Sequence, residues 1–214
     1  MPASMKVTIA ACLAVVALVV GMFVYKMLQP LTDAQLRDLG YVMLPAPRGL
    51  DTFDLVDHRR GSFNPDTLKG KWTFVYFGFT YCPDVCPVTM AALAQVERTL
   101  RTRSDVSAFE RFQGVLVSVD PERDSPEVLR DYVGAFSERF IGVTGDVAAV
   151  ESFAKQLYAS FAKVPAPNSA VEYLIEHSSN IVVINPSGAM HGFVRPPFDP
   201  EAIARGYVAL ATAN

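Results

Sequence analysis

Residues 72–79 read WTFVYFGF, an uncharged run of aromatic, β-branched and glycine residues with no apolar–polar alternation. Such a run suits a strand buried on both faces, and strands of that kind sit at the centre of sheets covered by helices on both sides. That one segment constrains what can surround it. Residues 85–100 supply a helix, with Val88, Ala91, Ala92 and Val96 at helical spacing. Residues 114–119 read as a second buried strand. Ser125-Pro126-Glu127 opens a helix, with a capping serine and proline at the first helical position. Residues 140–144 form a short strand, and residues 146–158 a helix capped by Gly145 or Asp146. Residues 181–184 form a strand, Asn185-Pro186-Ser187-Gly188 a turn, and residues 190–194 an antiparallel return. Asp199-Pro200-Glu201 caps a last helix that runs to residue 210. Upstream, residues 52–56 alternate as a strand, residues 57–61 turn, and residues 61–63 return as a hairpin.

Strands separated by helices imply right-handed crossovers, and the late hairpin adds antiparallel strands. The expected architecture is α/β: a thioredoxin-like mixed sheet flanked by helices, with an N-terminal hairpin extension. A transmembrane helix precedes it. Residues 7–25 read VTIAACLAVVALVVGMFVY, flanked by Lys6 and Lys26. About 19 apolar residues at 1.5 Å each span roughly 29 Å, close to the hydrocarbon thickness of a bilayer. The run ends in Met22-Phe23-Val24-Tyr25, which lacks the small-residue pattern of a signal cleavage site. Ile9-Ala10-Ala11-Cys12 resembles a lipoprotein box, but only Val7 and Thr8 separate it from Lys6. The segment reads as a retained anchor.

The chain thus divides into a short cytoplasmic tail and anchor (1–28), a linker (29–49) and a folded domain (50–214). The linker holds Pro30, Pro45 and Pro47, with a short helix at 32–39 capped by Thr32. The expected location is the bacterial inner membrane, with the domain facing the periplasm, where a cysteine pair can cycle between redox states. The net charge of −3, from 19 basic and 22 acidic residues, speaks against a nucleic-acid partner. Three cysteines in 214 residues exclude a disulfide scaffold.

Cys82 and Cys86 lie in Phe79-Thr80-Tyr81-Cys82-Pro83-Asp84-Val85-Cys86-Pro87, where the buried strand ends and the next helix begins. Ligand sites of α/β sheets lie at the carboxyl ends of strands. A helix N-terminus also favours thiolate over thiol. Residues four apart share a helix face, with Cα atoms about 6 Å apart. That separation permits a dithiol, a disulfide or a two-thiolate metal claw. Three intervening residues, rather than the two of a plain redox pair, favour the metal. Cys12 lies in the anchor and cannot contribute. Of the three histidines, His58 and His191 read as solvated turn residues. His177 precedes the late strand and can approach the cysteines from a distant part of the chain. Two thiolates with one imidazole suit copper, because soft sulfur selects Cu(I) and imidazole also accepts Cu(II). Structural zinc is disfavoured, since it usually wants four Cys or His ligands.

Several segments together resemble the SCO/SenC family: residues 70–72 and 76–87, Val117-Ser118-Val119-Asp120-Pro121-Glu122-Arg123-Asp124-Ser125-Pro126, residues 140–145, Tyr173-Leu174-Ile175-Glu176-His177-Ser178 and Asn185-Pro186-Ser187-Gly188. The resemblance runs from about Phe53 to the C-terminus. It implies a membrane-anchored, thioredoxin-like copper metallochaperone for the dinuclear copper centre of cytochrome c oxidase subunit II. It maps copper ligands to Cys82, Cys86 and His177 and an acidic site position to Asp120. Glu176 stands where the family commonly has Asp. Asp84 and Asp120 are candidate outer-shell groups. Other copper chaperones and thiol reductants are the further partners implied. The competing expectation is a thiol-disulfide oxidoreductase, with Cys82 and Cys86 as its redox-active pair, that reduces the copper-site cysteines of the oxidase subunit. A thiol peroxidase would need a dedicated peroxidatic motif, and none is visible.

Overall fold

The computed structural model describes residues 2–27, 29–103, 106–165 and 173–212. Helix α1 (Ala3–Met27) contains an apolar stretch, Ile9–Lys26, none of which is buried against the rest of the chain. By length and composition it can cross a membrane. Helix α2 (Asp33–Asp38) is short and begins with a reciprocal capping box. Thr32 accepts from the Gln35 N–H, and Gln35 accepts from the Thr32 N–H.

The expected linker departs from the structure at residues 41–48. Strand β1 (Tyr41–Arg48) forms the outer edge of the large sheet, antiparallel to β10 (Met190–Val194). Pro45 and Pro47 read as linker residues because proline lacks an N–H. An edge strand tolerates that loss, and the register shifts between Met43 and Arg48. Tyr41 holds this strand down. Its ring is fully buried, and its hydroxyl donates to the Ile203 carbonyl at 2.7 Å. Gly206 makes room for the ring, since a Cβ there would lie 2.2 Å from Tyr41 Cε2.

Apart from one short helix and one strand pair, the remaining elements follow the expected order. They are β2 (Leu55–Asp57), β3 (Ser62–Phe63), a 3-10 turn (Pro65–Leu68), β4 (Trp72–Gly78), α3 (Val85–Thr102), α4 (Val106–Arg111) and β5 (Phe112–Ser118). Then come α5 (Pro126–Gly134), β6 (Ile141–Thr144), α6 (Val147–Gln156), β7 (Phe161–Pro165), β8 (Tyr173–His177), β9 (Ile181–Ile184), β10 and α7 (Pro200–Thr212). Ser125 caps α5 by accepting from the Val128 N–H, with Pro126 in the first turn. The strand expected at 52–56 is shifted to Leu55–Asp57. Helix α4 and the β7–β8 pair were not anticipated.

Eight strands form one sheet in the order β1-β10-β9-β4-β5-β6-β2-β3. Strands β4, β5 and β6 are mutually parallel, while β9 runs antiparallel to β4. Every residue of β4 and β5 is buried, as the uninterrupted apolar run requires. Among the described residues, strands β7 and β8 pair only with each other, as a separate two-stranded sheet. The C-terminal end of β4, between a parallel and an antiparallel neighbour, is where the cysteine segment emerges.

Candidate metal centre

After Gly78, the chain leaves β4 and turns, with the Cys82 N–H donating to the Phe79 carbonyl at 3.3 Å. Asp84 occupies the N-cap of α3 but makes no side-chain capping bond. The sulfur of Cys82 partly takes that role, accepting from the Cys86 N–H at 3.4 Å. The four-residue spacing therefore places one sulfur against the open N–H groups of the helix start, and the other on its first turn. Cys86 is completely buried and Cys82 is 9% exposed; neither is bridged to another cysteine. Gly78 lies behind Cys86, where a Cβ would sit 2.9 Å from the Cys86 sulfur.

His177 ends β8. Its Nε2 lies 3.6 Å from the Cys86 Sγ, and its Nδ1 lies 3.1 Å from the Ser178 carbonyl oxygen. That carbonyl only accepts, so the contact places a proton on Nδ1 and turns Nε2 toward the sulfurs. Tyr76 and Phe79 pack edge-to-face on the imidazole, at centroid distances of 5.7 and 5.9 Å. The ligand atoms of Cys82, Cys86 and His177 all lie within 4.8 Å of one another. Two sulfurs and a pre-oriented ring nitrogen make a soft, three-donor set able to hold a metal ion.

The two sulfurs differ electrically. The Cys86 thiol, donating a hydrogen bond, is the main influence holding Cys82 down to about 4. Burial opposes this, and His177 with the N–H groups of Asp84 and Cys86 adds to it. Cys86 is pushed far up, first by that same bond and then by burial. The shared hydrogen bond thus favours the thiolate at Cys82 and the thiol at Cys86.

Of the acidic candidates, Asp84 is exposed and contributes through its backbone N–H. Asp120 is fully buried. It accepts from Arg123 Nε in an ion pair and from the Tyr173 hydroxyl at 2.9 Å, so it faces the β8 strand rather than the sulfurs. Sequence reasoning did not single out Asp124. Its carboxylate, also fully buried, accepts from the Thr80 N–H at 3.0 Å, the Thr80 hydroxyl at 2.6 Å and the Ser118 hydroxyl at 2.6 Å. Burial raises its pKa against the pull of those donors. It anchors the segment leading to Cys82. Two acids four residues apart after a buried strand were the signal available. His58 and His191 lie outside the site, but neither is a solvated turn residue. His58 Nδ1 accepts from the Gly142 N–H at 3.0 Å, and His191 packs edge-on to Trp72 at 5.2 Å.

A thioredoxin-like sheet with a Cys-Cys-His donor set at the end of its central strand defines a class of thiol proteins that bind soft metals. The SCO1/SenC family profile matches residues 44–212. A protein of Stutzerimonas stutzeri that carries copper binding in its name is 34% identical over 173 residues, covering 81% of this chain and 82% of that one. The solved structure of Arabidopsis thaliana ScoI with copper bound superposes with a TM-score of 0.68 at 30% identity, covering 76% of this chain and 97% of that one. That of yeast Sco1 with copper bound gives 0.70 at 27% identity, covering 78% and 91%. The chain belongs to the SCO1/SenC family.

Proposed function

We propose that this protein is a copper metallochaperone that holds its cargo between Cys82, Cys86 and His177 and passes it to the dinuclear copper site of cytochrome c oxidase subunit II. The observation that carries this reading is the convergence of the three ligand atoms within 4.8 Å, with the His177 Nε2 turned toward the sulfurs. Copper-bound relatives support the choice of metal. Two thiolates and an imidazole leave a Cu(I) ion three-coordinate, so incoming thiolates can displace the ligands one at a time. The same residues accept Cu(II). Helix α1 anchors the domain at the membrane, with the domain on the exported face. Other copper chaperones would load the site, and thiol reductants would keep both sulfurs reduced.

The test is anaerobic titration of the reduced, detergent-solubilised full chain with Cu(I) against a competing chelator. One tightly held copper per chain is expected. His177→Ala should weaken it about tenfold or more, while His58→Ala leaves it near the wild-type value. Equal losses from both substitutions would sink the site.

A second reading is favoured by the unequal sulfurs: a thiol-disulfide oxidoreductase acting on the copper-site cysteines of the oxidase subunit. The Cys82 thiolate would attack a substrate disulfide, giving a mixed disulfide and one substrate thiolate. Cys86, on losing its proton, would then displace the second. The products are two substrate thiols and a Cys82–Cys86 disulfide. Turnover that needs both cysteines and ignores His177 would select this reading.

A further inference from the structure

The donor set is divided between two bodies. Cys82 and Cys86 ride on the large sheet and α3, whereas His177 rides on the β7–β8 pair, which among the described residues has no ladder to that sheet. At its C-terminal end β8 is tied to the body by the chain itself, since β9 begins at Ile181. Tyr173, Ile175 and His177 alternate on one face of β8, which the strand period turns toward the body. Ile175 is buried between them. At the other end of β8 stands Tyr173. Its hydroxyl donates to the buried Asp120 at 2.9 Å, and the Arg123 guanidinium, paired with that carboxylate, covers its ring at 4.0 Å. Lys163 of β7 lies over the ring at 4.4 Å and pairs with Glu122 at 2.7 Å. Arg123 also lies 5.3 Å from the ring of Tyr81, the residue before Cys82. In the same segment, Asp124 holds Thr80. The turn from Asp120 to Asp124 thus grips both limbs of the site.

We propose that Tyr173 is a positioning residue for His177: its bond to Asp120 under Arg123 latches the β7–β8 hairpin so that the imidazole stays over the two sulfurs. This rests on the copper reading for its purpose but not for its geometry. Without the hydroxyl, the strand keeps its ring contacts and loses its one bond to a buried carboxylate. The hairpin then samples orientations in which Nε2 is withdrawn, and the ion falls back on two sulfurs.

The test is Tyr173→Phe in the full chain, read in two ways. In the metal-free protein, the His177 ring proton shifts report its packing against Tyr76 and Phe79. They are expected to move toward unpacked values while those of His58 and His191 stay fixed. With Cu(I) bound, affinity should fall about tenfold, the scale of one hydrogen bond to a charged group. X-ray absorption should show fewer nitrogen neighbours per copper, with both sulfurs retained. Lys69→Gln, which removes only an exposed pair with Asp66 away from the site, should match wild type within about twofold. Unchanged His177 shifts and unchanged affinity in Tyr173→Phe would overturn the latch. So would equal effects from Lys69→Gln. If the His177 shifts move as expected but wild-type protein holds no copper through His177, the latch stands and the copper reading fails.

Discussion

Cys82 and Cys86 are the same residue type four positions apart, yet their neighbours make them unequal. The helix start and the Cys86 thiol both point donors at Cys82, whereas Cys86 has burial around it and Gly78 behind it. The consequence is a particular pH dependence. The Cys82 pKa lies below that of a free thiol, about 8.5, so on acidification its thiolate persists through neutral pH and is lost only near pH 4. The stability it lends the fold follows the same course: present above the ordinary thiol pKa and lost as pH falls through about 4. Alkylation of the reduced, metal-free protein should therefore modify Cys82 at pH 6 and fade with a midpoint near 4. A midpoint at the ordinary thiol value would contradict the geometry. The pair itself was legible in the chain, because a strand-to-helix junction with flanking prolines is a position that inert cysteines do not need. Tyr173 and Arg123 were not. The Tyr173–Asp120 bond joins residues 53 apart, and nothing local to either marks the contact.

Among the elements, β4 and β5 were readable because burial on both faces leaves an uninterrupted apolar run, and α3 from its helical spacing. Of the strands that escaped, β1 and β8 did so for opposite reasons. In β1, the prolines mask a strand that an edge position permits. In β8, a histidine stands at the third inward position, so the alternation of Tyr173, Ile175 and His177 reads as loop. Strand β1 is nonetheless firmly held by Tyr41. Tyr41→Ala is expected to cost about 3–5 kcal/mol of stability, and Tyr41→Phe about 1 kcal/mol through the lost bond to Ile203. Urea unfolding of the two variants measures both. A Tyr41→Ala protein as stable as wild type would return this segment to the status of a tether.

At the scale of the whole molecule, α1 and the domain have separate tasks. Every candidate ligand lies at or after Cys82, and the apolar stretch of α1 buries nothing against the domain. Deleting residues 1–28 should shift the protein from the membrane to the soluble fraction. Its Cu(I) affinity should stay within about twofold, the ordinary limit of additivity for distant sites. Retention in the membrane fraction, or a collapse in affinity, would show that the anchor does more than tether. The close approach of Gly78 to Cys86 also gives the cleft a front and a back. Strand β4 backs directly onto Cys86, while Tyr81, next to Cys82 in the chain, is 60% exposed. On the proposed delivery reading, that asymmetry makes Cys82 the sulfur an incoming thiolate would reach before Cys86. The fully buried Cys86 sulfur would then be the last to let the ion go.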